Sequence, residues 1–384
     1  MDFDFSPEEQ QLKDQARRYL ADHCPSSAVR AVLDGPQSFD ATLWRGLGAQ
    51  GYLGAALPEA LGGSGAGYGA LCVVAEELGR ALAPVPFASS IGLAAELLLS
   101  AGTPAQQQRW LPALADGSCI GTLALAEGPG RVTPSTIHCR VAHGRLSGCK
   151  RPVADGDIAH IAVVATRDAT RETTRDAAAA TLSLHLVELA GPGVRRSLLA
   201  GIDPTRSQAQ IDFDQAEAEP LGAPGAGWAL LRQAQNRAAV LMAFEQVGGA
   251  DRALQSACDY AQERFAFGRP IGSLQAIKHM LADMYVSATL ARSNAYYGAW
   301  ALSSGAPELA EAAATARVSA SQAYLHCARN NIQVHGGMGF TWAFDCHLHY
   351  RRAHALALAL GGQAEWENRL VDSLLESRSS RRAA

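Results

Sequence analysis

The sequence predicts a mainly α-helical protein with a β domain in its middle: a helical domain over residues 1–118, a β-barrel or sandwich over 119–221, and a four-helix bundle over 222–384. Three observations carry that expectation. Up to Gly117 the chain shows helical patterns separated by Gly- and Pro-rich turns. From Ser118 it changes to short runs of β-formers bounded by turn residues. After "PLGAPGAG" the helical period returns in long segments, each well beyond the mean globular helix of about 11–12 residues.

Taken in order, Ser6-Pro7-Glu8-Glu9 has the form of a capping box with Pro at the first helical position, so a helix opens the chain. Helical patterns follow at "ATLWRGLGAQG", "ALCVVAEELGRAL" and "PAQQQRWLPALADG", while "LPEALGGSGAGYG" and "APVPFASS" read as turns. The strand candidates are "CIGTLALAE", "CRVAHGRLSG", "HIAVVATR", "TLSLHLVEL" and "QAQIDFD". "GVRRSLLAGIDPTRSQ" reads as a link, and "RDATRETTRDAAAA" as a solvated hairpin tip. The bundle helices are expected at 227–263, 273–303, 307–333 and about 343–378, the third rich in Ala and Ser, which lets backbones approach closely.

The 384 residues are 48% hydrophobic and 18% charged, as in a soluble globular enzyme, and the net charge of -4 offers no basic field for nucleic acid. Eight cysteines without a C-x-x-C pair argue against a zinc site or a disulfide framework. "MDFDFSPEEQQ" lacks the basic and apolar regions of a signal peptide, and no apolar run reaches spanning length, so a cytoplasmic protein without a membrane span is expected. G-x-G-x-x-G after a strand, the P-loop and G-x-S-x-G are missing. His347 and His349 fall on different helical faces and, with His354, read as solvated or capping groups; no metal is expected.

Two short stretches stand out at the ends of bundle helices. "RFAFGRPIGSLQAIKHMLADM" contains R-x-x-F-G followed by a glutamine, as Arg264, Phe267, Gly268 and Gln275; "NIQVHGGMGFTW" contains Q-x-x-G-G-x-G-F, as Gln333, Gly336, Gly337, Gly339 and Phe340. With the order helical, β, bundle, these make the chain resemble the acyl-CoA dehydrogenase family of flavoproteins over essentially its whole length. The resemblance implies FAD as cofactor and Arg264, Phe267, Gln275, Gln333, Gly336 and Gly337 as its binding residues. The residue types suit that task. Arg offers several donors in a fixed fork for a pyrophosphate, and paired glycines admit a ligand where a Cβ would stand. In the family this half of the nucleotide belongs to the neighbouring subunit's bundle. The resemblance further implies α,β-dehydrogenation of an acyl-CoA thioester, in which a carboxylate takes the α-proton and the β-hydrogen leaves as hydride. The electrons would pass to an electron-transfer flavoprotein, and the assembly would be a homo- or heterotetramer acting on fatty or steroid-like acyl groups.

Departures from the family pattern matter as much. Its T-E-P and W-[IV]-T segments, whose threonines bond the flavin ring edge, correspond to "LALAEGPG" and "GCKRPVADG", which set Ala126 and Ala154 at the hydroxyl positions and Pro152 at the tryptophan. Alanine offers no side-chain hydrogen bond. The two family positions for the catalytic Glu hold Leu360 and Ala238. Glu245, two helical turns past Ala238 on the same face and flanked by Met242, Phe244 and Val247, is the candidate base; the alternative is a carboxylate tied to an arginine for structure. Three readings follow: an enzyme using Glu245 or a subunit of a two-component enzyme, a catalytically silent partner that completes the nucleotide site, and a flavin oxidase or monooxygenase on the same scaffold.

Overall fold

The computed structural model describes residues 4–168 and 182–383. Most of the tract expected as a hairpin tip falls at 169–181, outside the described residues. The chain divides into two compact units, one of residues 1–30, 68–83 and 239–384, the other of 31–67 and 84–238.

The first half of the chain supplies α1 (Pro7–His23), α2 (Ser26–Asp34), α3 (Ala41–Ala49), α4 (Gly67–Arg80), α5 (Phe87–Ser89), a π-type turn over Ser90–Ala95, α6 (Glu96–Ala101) and α7 (Pro104–Ala115). The capping box forms as spelled: Ser6 Oγ accepts from the Glu9 amide at 3.2 Å, and the Glu9 carboxylate accepts from the Ser6 amide at 2.8 Å. "APVPFASS", expected as a turn, instead opens a helix at Phe87. Pro84 and Pro86 end what precedes, and nothing beyond them breaks a helix.

In the unit of residues 31–67 and 84–238 the strands are β1 (Gly121–Ala124), β2 (Arg140–Ala142), β3 (Arg145–Ala154), β4 (Ile161–Asp168), β5 (Leu182–Glu188), β6 (Val194–Leu199), β7 (Gln208–Glu217) and β8 (Glu219–Leu221). They join in one eight-stranded sheet of order β6-β7-β3-β2-β4-β5-β8, with β1 parallel to β4. The run Ile161–Ala165 is wholly buried, which is why it reads as continuous apolar sequence without alternation. β6 corrects the expectation of a link over 193–208. It is an edge strand whose residues are mostly exposed, so ladder hydrogen bonds to β7 define it where no apolar alternation could.

The helices of the last third are α8 (Gly227–Glu263), α9 (Gln275–Ser304), α10 (Leu309–His335), α11 (Cys346–Leu358) and α12 (Gln363–Ala383). The fourth expected helix, 343–378, is therefore two. Leu360 and Gly361 take φ of 60° and 100° at the corner. The buried Arg317 guanidinium donates to the carbonyls of Leu356 and Ala359, and Trp366 Nε1 donates to Leu360 O at 3.1 Å. Carbonyls left open by the break are thus satisfied by side chains, that of Arg317 from 39 or more residues away, and Gly361–Gly362 is the local stop signal that the expectation of one long helix passed over.

Crossing of α4 and α8 depends on glycine. A Cβ at Gly79 would stand 1.9 Å from the Glu245 carbonyl oxygen, and one at Gly248 1.8 Å from that of Glu76. Buried carboxylates at this crossing are paired, Glu76 with Lys13 at 2.6 Å and Glu77 with Arg17 at 2.8 Å, as burial of charge requires. Among the described residues no helix is long and apolar enough to cross a membrane, and no cluster of His, Cys, Asp and Glu is placed to hold a metal.

Candidate active site

The stretch after α8 folds as a miniature hairpin. β9 (Phe265–Ala266) and β10 (Arg269–Pro270) pair antiparallel, with Arg269 opposite Ala266 and Pro270 opposite Phe265. Phe267 and Gly268 form the two-residue corner with φ of 53° and 75°, the positive values a type I′ turn demands. Glycine meets that demand freely; a phenylalanine does not, and strained residues of this kind collect at ligand sites. The corner carries the Phe267 ring into solvent, 91% exposed. Ile271 N closes the hairpin on Arg264 O at 2.8 Å. Arg264 is exposed and makes no ion pair among the described residues, and Gln275 is exposed at the first turn of α9.

The glycine motif ends α10. Gly336 takes φ 59° and ψ -135°, a conformation that a Cβ opposes, and its amide bonds Gln333 O. Gly339 lets the turn fold back, since a Cβ there would stand 2.6 Å from Ile332 O. Gly337 is different. Its φ lies outside the left-handed region, and a Cβ would meet nothing within 4 Å. Among the described residues nothing requires glycine at 337, and the backbone there is exposed. The side chain of Gln333 is likewise exposed.

The structure brings the two motifs to one end of the bundle. The Tyr260 ring stacks on His335 with centroids 4.1 Å apart; Tyr260 lies one turn before Arg264, and His335 immediately precedes Gly336. Around them Phe265, Phe267, Met338, Phe340 and Trp342 are exposed, an apolar fringe of the sort that marks an interaction site.

Glu245 lies elsewhere in the same unit. It is 2% exposed, and its Oε1 stands 3.5 Å from Arg352 Nη1. The Arg352 guanidinium also donates to the carbonyls of Ala83 at 3.4 Å and Leu82 at 3.2 Å. Of the two readings given for this carboxylate, a base among apolar neighbours and a group tied to an arginine, the second expects the contact that the structure shows. His349, expected to be solvated or capping, is buried as well, with Nδ1 3.1 Å from the Tyr324 hydroxyl. His347, given the same expectation, is half-buried with its ring stacked on Trp342 at 4.4 Å, so neither member of the i, i+2 pair is solvated, which spacing alone does not reveal.

In the sheet, Ala126 and Ala154 engage only their backbones: Ala126 O accepts from Arg151 N at 2.8 Å, and Ala154 O from Thr122 Oγ1 at 2.6 Å. The Lys150 ammonium, fully buried, bonds Glu127 at 2.7 Å and Leu125 O at 3.1 Å. Burial by itself would raise the Glu127 pKa, but the Lys150 charge and the amides of His138 and Cys139 outweigh it and hold the carboxyl below its usual range.

The family model of the acyl-CoA dehydrogenase N-terminal domain matches residues 6–118, and that of the C-terminal domain matches 225–372. The acyl-CoA dehydrogenase IpdE2 of Mycobacterium tuberculosis is 37% identical over 373 residues, which cover 97% of this chain and 99% of that protein. The chain belongs to the acyl-CoA dehydrogenase family. The human mitochondrial short-chain specific acyl-CoA dehydrogenase is 30% identical over 85% of this chain and 80% of its own. Two solved structures of the family superpose closely. A Tcur3481–Tcur3483 steroid ACAD variant has a TM-score of 0.86 at 32% identity over 97% of this chain and 99% of its own. The Mycobacterium tuberculosis ChsE4–ChsE5 complex has a TM-score of 0.87 at 29% identity over 98% and 99%.

Acyl-CoA dehydrogenases are FAD-dependent, and an exposed Arg264 and a bare Gly337 backbone at one end of the bundle fit an anionic nucleotide. Three rings that the motifs do not specify, Tyr260, His335 and Phe344, pack together between these stretches. His335 fills a variable position inside the glycine motif; the other two carry no spacing signal.

Proposed function

We propose that this chain is a subunit of an FAD-dependent acyl-CoA dehydrogenase, contributing the nucleotide half of a flavin site whose ring is held by a homologous chain. The observation that carries the reading is a contrast within one molecule: an open, exposed clamp at Arg264 and Gly337, against alanines at both ring-edge positions. FAD, when bound, supplies the acceptor for the hydride lost from the β-carbon of the thioester. Arg264 would hold the pyrophosphate through charge-assisted hydrogen bonds. The amides of Gln275 and Gln333 would orient the nucleotide, Gly336 and Gly337 would admit it, and the Phe267 ring would shield it from water. Leu360 and Ala238 cannot accept the α-proton, so the base comes from the homologous chain, as the burial of Glu245 against Arg352 also favours. Electron-transfer flavoprotein is the proposed acceptor of the electrons. The relative named a steroid ACAD supports a bulky, steroid-like acyl group. A division of the chain at 118 and 221 into helical, β and bundle domains belongs to the same proposal.

A second reading has one observation in its favour: Glu245 is a buried carboxylate on the helical face of Ala238. In that version the chain works as a homo-oligomer with Glu245 as base. Absorbance separates the two. The subunit reading expects a colourless chain when purified alone, and a yellow complex, bleached by acyl-CoA, when purified with a homologous chain. Arg264→Gln in that complex should abolish the colour. A lone chain that is yellow and bleached by acyl-CoA would favour the second reading; absence of flavin in both settings would overturn both.

A further inference from the structure

We propose that Tyr260, His335 and Phe344 form a positioning device that sets the gap between the Arg264 hairpin and the Gly336–Gly337 turn. The device thereby governs how tightly the two grip a flavin nucleotide; this last step rests on the functional reading above. The hairpin and the glycine turn are 65 residues or more apart along the chain and each protrudes from the end of a helix, so neither fixes the other through local backbone. What joins them is aromatic. Tyr260 stacks on His335 at 4.1 Å and 23°, and Phe344 meets both edge-on, at 6.2 Å and 88° from Tyr260 and 5.7 Å and 67° from His335.

The segments that carry the rings are themselves held. The Arg264 amide bonds Tyr260 O at 2.9 Å, so a shift of Tyr260 moves the base of the hairpin. His335 Nδ1 lies 2.8 Å from Asn331 O, a contact that puts its proton on Nδ1 and locks the ring plane. Gly339 folds back close over the end of α10, where a Cβ of its own would stand 2.6 Å from Ile332 O and 3.0 Å from the His335 Cβ. Beyond Phe344, Asp345 is bonded by Arg30 at 2.7 Å, which ties down the far end of the segment. Burial lowers the pKa of His335, keeping neutral the ring that lies against Tyr260. A stacked neutral pair with a third ring edge-on is a stiff arrangement, because offset and edge-to-face geometries are the preferred ones for aromatic groups.

Hydrogen exchange followed by mass spectrometry, without ligand, tests the coupling directly. Tyr260→Leu is expected to speed exchange in both 264–272 and 336–340, whereas Tyr260→Phe keeps the ring and wild-type protection. In the flavin-binding assembly Tyr260→Leu should weaken FAD by about tenfold and Tyr260→Phe should restore it. Unchanged exchange at 336–340 in Tyr260→Leu overturns the proposal, as does unchanged FAD affinity in a variant whose exchange has risen. A wild-type assembly that takes up no FAD sinks the functional reading instead, and the ligand-free exchange still decides the coupling.

Discussion

The Glu245 carboxylate lies 3.5 Å from the Arg352 guanidinium, and both side chains are buried. Removing one charge from such a pair strands the other, at a cost of about 3–5 kcal/mol. Glu245→Gln should therefore lower the unfolding free energy by roughly 3 kcal/mol in denaturant titration, while turnover of the assembled enzyme stays within a few fold. Loss of at least about 100-fold in turnover, with stability intact, would make Glu245 the base instead.

Gly337→Ala separates folding from binding. A Cβ at this position meets no atom within 4 Å, so the melting temperature should not change. FAD affinity of the assembly should fall by at least about tenfold if the backbone there faces the nucleotide. Equal affinity of the variant and wild type, measured by flavin fluorescence quenching, would count against the clamp.

Phe267 holds a left-handed conformation with its ring almost wholly exposed. Asn tolerates that backbone far better, so Phe267→Asn should raise stability by about 1 kcal/mol. The same change removes the ring proposed to cover the nucleotide, and flavin retention should drop. A variant that gains stability and keeps its flavin would show the strain to have no part in binding.

Acid should weaken the helical unit through His349. Burial, then the charges of Arg252 and Arg352, push its folded-state pKa down to about 3, against about 6.5 for an ordinary histidine. Between those values the unfolded chain binds a proton that the folded chain refuses, so stability falls as pH drops below about 6.5 and this contribution levels off near the folded value. From pH 7 to 5 the loss should be about 2 kcal/mol, and His349→Gln should flatten the dependence by that amount. Denaturant titrations at the two pH values check both statements, and an equally steep His349→Gln profile would assign the slope to other groups.

Local chemistry made much of the fold readable. The Ser6–Glu9 box and the long helical span of α8 are set by residues within a few positions of one another. The two family motifs were legible for the same reason, since R-x-x-F-G and Q-x-x-G-G each occupy one turn at a helix end. β6 was not, because an exposed edge strand has no buried face to write an alternation into its sequence.

By itself the sequence determined that a capping box opens α1, that long helices fill the last third and which residue types stand at the family motifs. Only the tertiary structure decided that Glu245 meets an arginine 107 residues away, that Arg317 caps the end of α11, and that His349 lies in the core. The physical reason is range. Backbone preferences and caps act over a turn or two, whereas burial and the partner of a charge are settled by which distant segments pack against it.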